Sequence, residues 1–80
     1  MTEQEAWDAV RAAIGEVAPD VAPEDVVEGA RLRQDLELDS LDFLRVLEIL
    51  VERTGVDIPE DAYGEVATVK GLVGYLTARG

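Results

Sequence analysis

The residues with the clearest chemical potential lie in one short stretch, LELDSLDFL, at positions 36–44. It holds the only serine of the chain, Ser40, between Asp39 and Leu41. A serine hydroxyl becomes a catalytic nucleophile when a neighbouring general base activates it. The chain has no histidine, and the residues around Ser40 do not form a G-x-S-x-G turn. The sequence therefore argues against a serine hydrolase.

Acidic residues alternate with leucines just before the serine, which raises the question of a calcium loop. An EF-hand loop beginning at Asp35 needs glycine at its sixth position and glutamate at its twelfth. Those positions hold Ser40 and Val46. We therefore predict no metal site, and we interpret the carboxylates as solvated surface groups rather than as acid–base catalysts. Weak, non-specific cation binding by this surface is the remaining alternative.

The position of Ser40 at the start of a predicted helix suggests a different chemistry. If Asp39 is the N-cap, Ser40 is the first helical residue and its hydroxyl points outward. The unpaired N–H groups and partial positive charge of a helix N-terminus favour a bound or attached phosphate. The alternative, that Ser40 is itself the N-cap, stays open at this point. Leu41 falls on the polar side of the helix, which indicates a small docking surface beside the hydroxyl.

That helix, predicted over residues 40–53, is the strongest element of the sequence. One broad side is apolar at helical spacing, the opposite side is polar, and only Leu41 and Ile49 interrupt the polar side. Gly55 is the expected C-terminal stop. The apolar side consists of Phe43, Leu44, Val46, Leu47, Leu50 and Val51.

The rest of the chain is also predicted to be helical, with one long connection. A first helix is expected over residues 3–17 and a last one, capped by Thr68, up to residue 78. Residues 18–39 are expected to pack against the helices, with a short helical turn near 24–28, because a long structureless loop is uncommon in a compact domain. After an extended segment at 56–59, a weak helical stretch is predicted over 60–66.

Length and charge limit the classes of function. The 80 residues suffice for one domain, 1–80, and the balance of 18 acidic and 7 basic residues gives a net charge of −11. Such a chain is repelled by nucleic acid and by anionic membranes and is attracted to basic protein surfaces. The absence of cysteine, of a signal peptide and of a long apolar run leads us to expect a cytoplasmic protein without membrane insertion. We expect a monomer.

Two segments carry a family resemblance that covers nearly the whole chain. The motif DLELDSLDFL, at 35–44, resembles the attachment motif of acyl carrier proteins, whose usual form is D-L-G-x-D-S-L-D. The run GVDIPEDAYGEVATVKGLVGYL, at 55–76, is similar to the second half of that family, with its G-x-x-I-P segment, short helix and threonine-capped final helix. The resemblance implies an all-α four-helix bundle of acyl-carrier type, with a long loop between the first and second helices and a short third helix.

The resemblance also implies a non-catalytic carrier function. Ser40 would receive 4′-phosphopantetheine from coenzyme A by the action of a phosphopantetheinyl transferase, and the thiol of that arm would carry acyl groups as thioesters. The partners would be acyl-loading and acyl-processing enzymes of fatty-acid or polyketide-type biosynthesis, with basic docking patches. Candidate partner-binding residues are Asp39, Leu41, Asp42, Leu44, Arg45, Glu48 and Glu52. Candidate residues lining an acyl-chain site are Phe43, Val46, Leu47 and Ile58, for which ordinary core packing is the alternative.

Departures from the family pattern leave other interpretations open. Glu37 replaces a frequent glycine, and we expect it to restrict the loop to ordinary backbone angles. Arg45 replaces a frequent acid, which either changes partner choice or forms a local salt bridge to Glu48 or Glu52. A stand-alone aminoacyl or peptidyl carrier is the closest alternative. A small acidic helical adaptor without a prosthetic group is the alternative from a different class.

Overall fold

The computed structural model describes all 80 residues, which form three α-helices joined by two connections. Helix α1 spans Glu3–Val17, α2 spans Ser40–Thr54 and α3 spans Val69–Arg79. Single 3₁₀ turns occur within the connections at Pro23–Asp25 and Glu60–Ala62. This order confirms the predicted all-α fold with its long loop between the first two helices.

The predicted short third helix is the 3₁₀ turn at Glu60–Ala62, and it is shorter than the range of 60–66 expected from the sequence. Residues 63–66 form further turns instead of continuing a helix. Gly64 lies in the middle of this segment, and glycine is about 1 kcal/mol less favourable than alanine inside a helix. The segment therefore remains a compact, turn-rich connection between α2 and α3.

Local sequence sets the helix ends. At α1, the Thr2 hydroxyl accepts a hydrogen bond from the Glu5 N–H at 3.1 Å, and the Glu5 carboxylate accepts one from the Thr2 N–H at 2.8 Å. The hydrogen bond from the Thr2 backbone N–H, together with the nearby Thr2 hydroxyl, lowers the pKa of the Glu5 carboxyl by favouring its charged form. Helix α2 ends at Gly55, whose φ of 74° suits glycine. At α3, the Thr68 hydroxyl accepts from the Gly71 N–H at 3.0 Å.

The core is entirely apolar and lies between the three helices. Helix α1 packs against both α2 and α3. Twenty-two residues are buried, and none of them is polar or charged apart from the phenol of Tyr75. That hydroxyl donates a hydrogen bond to the carbonyl oxygen of Asp57 at 3.1 Å, which satisfies its only polar group.

The long connection before α2 is held against the bundle, as predicted. Its side chains at Val26, Ala30, Leu32, Leu36 and Leu38 are buried. Two backbone hydrogen bonds join it to the start of α3, from the Leu32 N–H to the Ala67 carbonyl and from the Val69 N–H to the Ala30 carbonyl, each at 3.0 Å. The segment that leads into Ser40 is thus fixed both by burial and by hydrogen bonds.

Candidate functional site

Ser40 is the first residue of α2, and Asp39 caps the helix. The Asp39 carboxylate accepts a hydrogen bond from the N–H of Asp42 at 2.8 Å. The alternative in which Ser40 is the N-cap is therefore wrong. Since the capping role belongs to Asp39 and Ser40 is exposed, the serine hydroxyl is accessible to another molecule at the positive end of a helix.

The backbone immediately before Ser40 contains the one non-glycine residue with a positive φ. Glu37 has φ 57° and lies between two buried leucines, Leu36 and Leu38. The expectation that Glu37 restricts this loop to ordinary backbone angles is wrong. The backbone N–H groups of Leu36 and Leu38 donate to the carbonyl oxygens of Arg31 and Leu32, so tertiary contacts hold the chain on either side of the turn at Glu37. The left-handed conformation costs a residue other than glycine about 1–2 kcal/mol.

A basic residue that the sequence interpretation did not single out contacts the serine. The guanidinium of Arg33 donates a hydrogen bond from Nη2 to the Oγ of Ser40 at 3.0 Å. The neighbouring Arg31 is instead paired with Asp35 at 3.1 Å. Arg33 has no such acidic partner. The feature of the sequence that could have indicated Arg33 is its position as a basic residue seven positions before the only serine of an acidic chain.

The ion pair of Arg31 with Asp35 stabilises the turn that precedes the site. The Nε and Nη2 atoms of the Arg31 guanidinium and the backbone N–H of Arg31 donate to the Asp35 carboxylate, at 2.8–3.1 Å. Hydrogen bonds from the Arg31 side chain, and then from its backbone N–H, hold the pKa of the Asp35 carboxyl below its usual value of 3.8. The same contact raises the pKa of Arg31.

Ser40 borders an open groove between α2 and the turns that precede α3. The groove has a volume of about 430 Å³. Its floor includes Phe43, whose ring meets the ring of Tyr63 edge-on, with centroids 5.9 Å apart and planes at 90°. This geometry is favourable for aromatic pairs and joins α2 to the turn-rich connection. The lining residues are Arg33, Gln34, Ser40, Phe43, Leu44, Tyr63, Gly64 and Ala67.

A second groove of about 270 Å³ lies farther along α2. Leu44 and Tyr63 line both grooves, so the two are neighbours separated by these side chains. The lining residues of the second groove are Leu44, Leu47, Glu48, Val51, Glu52, Ile58 and Tyr63. Together the two grooves run from Ser40 along α2.

The four candidate acyl-lining residues are all buried, but they are not equivalent. Phe43 borders the first groove, and Leu47 and Ile58 border the second. Val46 has no exposed surface and lines neither groove. Core packing therefore accounts for Val46, whereas the other three combine a core position with access to a groove.

The candidate partner-binding residues form an outward surface on α2. Leu41 is 72% exposed and is one of two large apolar side chains that remain in solvent. Arg45 makes no ion pair with Glu48 or Glu52, so the local salt bridge does not form. Ile49, the other apolar residue predicted on this side, is partly buried against the core. Asp39, Arg45, Glu48 and Glu52 are exposed, and Asp42 and Leu44 are partly buried.

No group of three or more acidic side chains is arranged to hold a metal ion. None of the three helices combines the length and the apolar character that crossing a bilayer requires.

Comparison with known proteins gives consistent results. The family model described as the phosphopantetheine attachment site matches residues 8–76. The acyl carrier protein of Zymomonas mobilis is 41% identical over 56 residues, which cover 70% of this chain and 72% of that protein. The acyl carrier protein of Thermosynechococcus vestitus is 32% identical over 76 residues, which cover 95% of this chain and 93% of that protein. The similarity to the second protein thus extends along almost the whole bundle.

Proposed function

This chain belongs to the phosphopantetheine attachment site family, and on that premise we propose that Ser40 is the residue that bears the 4′-phosphopantetheine. Acyl carrier proteins of this family catalyse no reaction themselves, and their prosthetic group is 4′-phosphopantetheine. Family membership therefore favours a carrier over an adaptor without a prosthetic group. The proposal assigns the group to the only serine of the chain.

The surroundings of Ser40 fit such a group. The hydroxyl is exposed at the first position of α2, a guanidinium lies 3.0 Å from it, and an open groove begins beside it. The positive helix end and the arginine suit the negative charge of a phosphodiester, and the groove leaves room for a flexible arm. The exposed Ser40 hydroxyl at the capped start of α2 is the observation that carries the proposal.

Ser40 acts as the nucleophile when a phosphopantetheinyl transferase presents coenzyme A. Its Oγ attacks the pyrophosphate, an O–P bond forms, and the bridging P–O bond breaks. Adenosine 3′,5′-bisphosphate leaves, and the hydroxyl proton passes to a base of the transferase. When bound, the group supplies a thiol that carries acyl chains as thioesters. The chain itself has no cysteine to compete with that thiol.

The outward surface of α2 is the proposed docking surface for partner enzymes. Its exposed acids attract basic patches, which raises the rate of encounter more than the final affinity. Leu41 adds a small apolar contact next to the modified serine. Arg45, which has no intramolecular partner, repels basic patches at one place and favours partners with an acid there. Weak encounters suit a carrier, because it must leave each enzyme quickly.

The partners proposed for this surface are enzymes of fatty-acid or polyketide-type biosynthesis. A stand-alone aminoacyl or peptidyl carrier is the second candidate within the same class, because loading depends on the pocket of the partner enzyme. Mass spectrometry of the thioester-bound species on protein isolated from its native cell distinguishes them. An acyl or malonyl-type thioester supports the first assignment, and an aminoacyl thioester supports the second.

Intact-mass measurement tests the site. We expect the wild-type protein, incubated with coenzyme A, Mg²⁺ and a broad-specificity transferase, to gain one phosphopantetheine. Ser40→Ala should gain none and retain the wild-type circular dichroism spectrum, because the helix cap is Asp39. An unchanged wild-type mass with several transferases active on another carrier would contradict the proposal. A gain of mass by the Ser40→Ala variant would mean that another residue bears the group.

A further inference from the structure

Arg33 has an unusual position among the basic residues of this chain. Only two of the seven basic residues form an ion pair with a carboxylate. Arg31 pairs with Asp35, and Arg79 lies 3.8 Å from Glu65. Arg33 instead donates to a neutral oxygen, the Oγ of Ser40. Its positive charge is therefore uncompensated at the point where the proposed modification takes place.

A phosphodiester on Ser40 gives this arginine the partner that the unmodified protein lacks. Attachment turns the hydroxyl oxygen into an ester oxygen, and the negative charge resides on the non-bridging oxygens of the adjacent phosphorus. A guanidinium offers several N–H donors in a planar fork and binds phosphate through two parallel hydrogen bonds. A lysine in the same place would act only as a point charge.

The acidic residues around Ser40 give the contact between Arg33 and the phosphodiester an electrostatic role. Asp39 and Asp42 lie beside Ser40, and the N–H of Asp42 is already engaged by the Asp39 carboxylate. A further negative charge at Ser40 is repelled by these acids, and part of the helix N-terminus is not available to offset it. The cation at Arg33 lowers this repulsion. It also lines the groove that begins at Ser40, together with Phe43.

We propose that Arg33 is a positioning residue that binds the phosphodiester on Ser40 and holds the root of the arm at the groove between α2 and the turns before α3. This inference rests on the proposed function, because it needs the group on Ser40. In this proposal Arg33 orients the arm and takes no part in any reaction of the acyl group that the arm carries. The arm beyond the phosphate remains free to move.

The first test follows the phosphodiester itself. ³¹P NMR is recorded on the modified forms of wild type, Arg33→Gln and Arg53→Gln, after intact mass has established that each carries the group. Arg53 is the matched control, because it is exposed in the last turn of α2 and makes no ion pair. We expect the transverse relaxation rate in Arg33→Gln to fall by about twofold as the phosphate gains local motion. Arg53→Gln should match wild type, and equal rates in all three proteins would overturn the inference.

The second test needs no variant. The side-chain Nε–H signals of the arginines are compared before and after modification of the wild-type protein. The Arg33 signal should shift on modification while the Arg53 signal stays in place. An unmoved Arg33 signal on a fully modified protein would overturn the role of Arg33 and leave the proposed function intact. Failure of the wild type to gain mass would instead remove both proposals.

Discussion

The backbone of Gly71 in α3 lies directly against the carbonyl oxygen of Glu65, so that a Cβ at position 71 would fall on that oxygen. Glu65 belongs to the turn-rich connection in which Tyr63, Gly64 and Ala67 line the groove beside Ser40. The close approach thus brings the wall of the groove against the first turn of α3. Any side chain at position 71 must push the two apart.

A pair of glycine substitutions in α3 tests this contact. Gly71→Ala should lower the free energy of unfolding by about 1–3 kcal/mol, because the clash is with backbone and cannot be relieved by a side-chain rotation. Gly74→Ala is the control, since no atom lies within 4 Å of a Cβ there. It should gain up to about 1 kcal/mol from helix propensity. Urea unfolding measures the change in the free energy of unfolding for both variants. Equal changes would contradict the close approach of Gly71 to the Glu65 carbonyl.

The left-handed residue before Ser40 gives a second prediction. Glu37→Gly and Glu37→Ala both remove the same charge, but only glycine adopts φ 57° without steric cost. After allowance for the greater freedom of glycine in the unfolded chain, Glu37→Gly should be about 0.5–1 kcal/mol more stable than Glu37→Ala. Urea unfolding of the two variants measures this difference from their midpoint concentrations, provided that the free energy of unfolding depends equally steeply on urea in both. A more stable alanine variant would mean that residue 37 has an ordinary backbone conformation.

Leu41 is predicted to serve recognition rather than folding. Leu41→Ala should change stability by less than about 0.5 kcal/mol, because the side chain is mostly in solvent. It should slow modification by the transferase by about fivefold to tenfold, through loss of an apolar contact. Val27→Ala is the matched control, since Val27 is the other large exposed apolar residue, at 52%, and lies far from α2 in sequence. A large drop in melting temperature for Leu41→Ala would place this leucine in the core.

The Arg31–Asp35 contact gives a prediction about pH. The pKa of Asp35 is lowered in the folded protein, so its contribution to stability is present above pH 3.8 and is lost as the pH falls through the lowered value. Arg31→Gln should move the Asp35 pKa upward, but only in part, because the backbone N–H of residue 31 still donates to the carboxylate. NMR titration of the carboxyl carbon measures the pKa. Arg53→Gln should leave it unchanged.

Much of the fold was predictable from local sequence signals. Asp39 and Thr68 are N-caps, as predicted, and Gly55 ends α2 as expected. Apolar residues at helical spacing then identified the faces that meet in the core. The carrier family was also predictable, because the motif around Ser40 and the second half of the chain are both distinctive. The cytoplasmic location and the monomeric state stay predictions.

The remaining features depend on tertiary contacts that the sequence alone does not encode locally. Arg33 reaches Ser40 because the connection that contains it is held against the start of α3, and its position seven residues before the serine does not by itself specify that contact. Glu37 has a positive φ in a turn whose flanking leucines are buried and hydrogen-bonded through their backbone N–H groups, and these contacts override its own preference. Ile49 was expected on the polar side but packs against the core, since α2 is covered over more of its circumference than its periodicity indicated.

The hydrogen bonds that join residues 30–32 to residues 67–69 have a mechanical consequence for a tethered cargo. An enzyme that pulls on a chain attached at Ser40 applies tension first to the short link of residues 36–39 and to α2. That link passes the force to residues 30–32, whose backbone hydrogen bonds to residues 67–69 share it with the start of α3. Helix α1 packs against both α2 and α3, so part of the load on α2 also reaches the core that the three helices share.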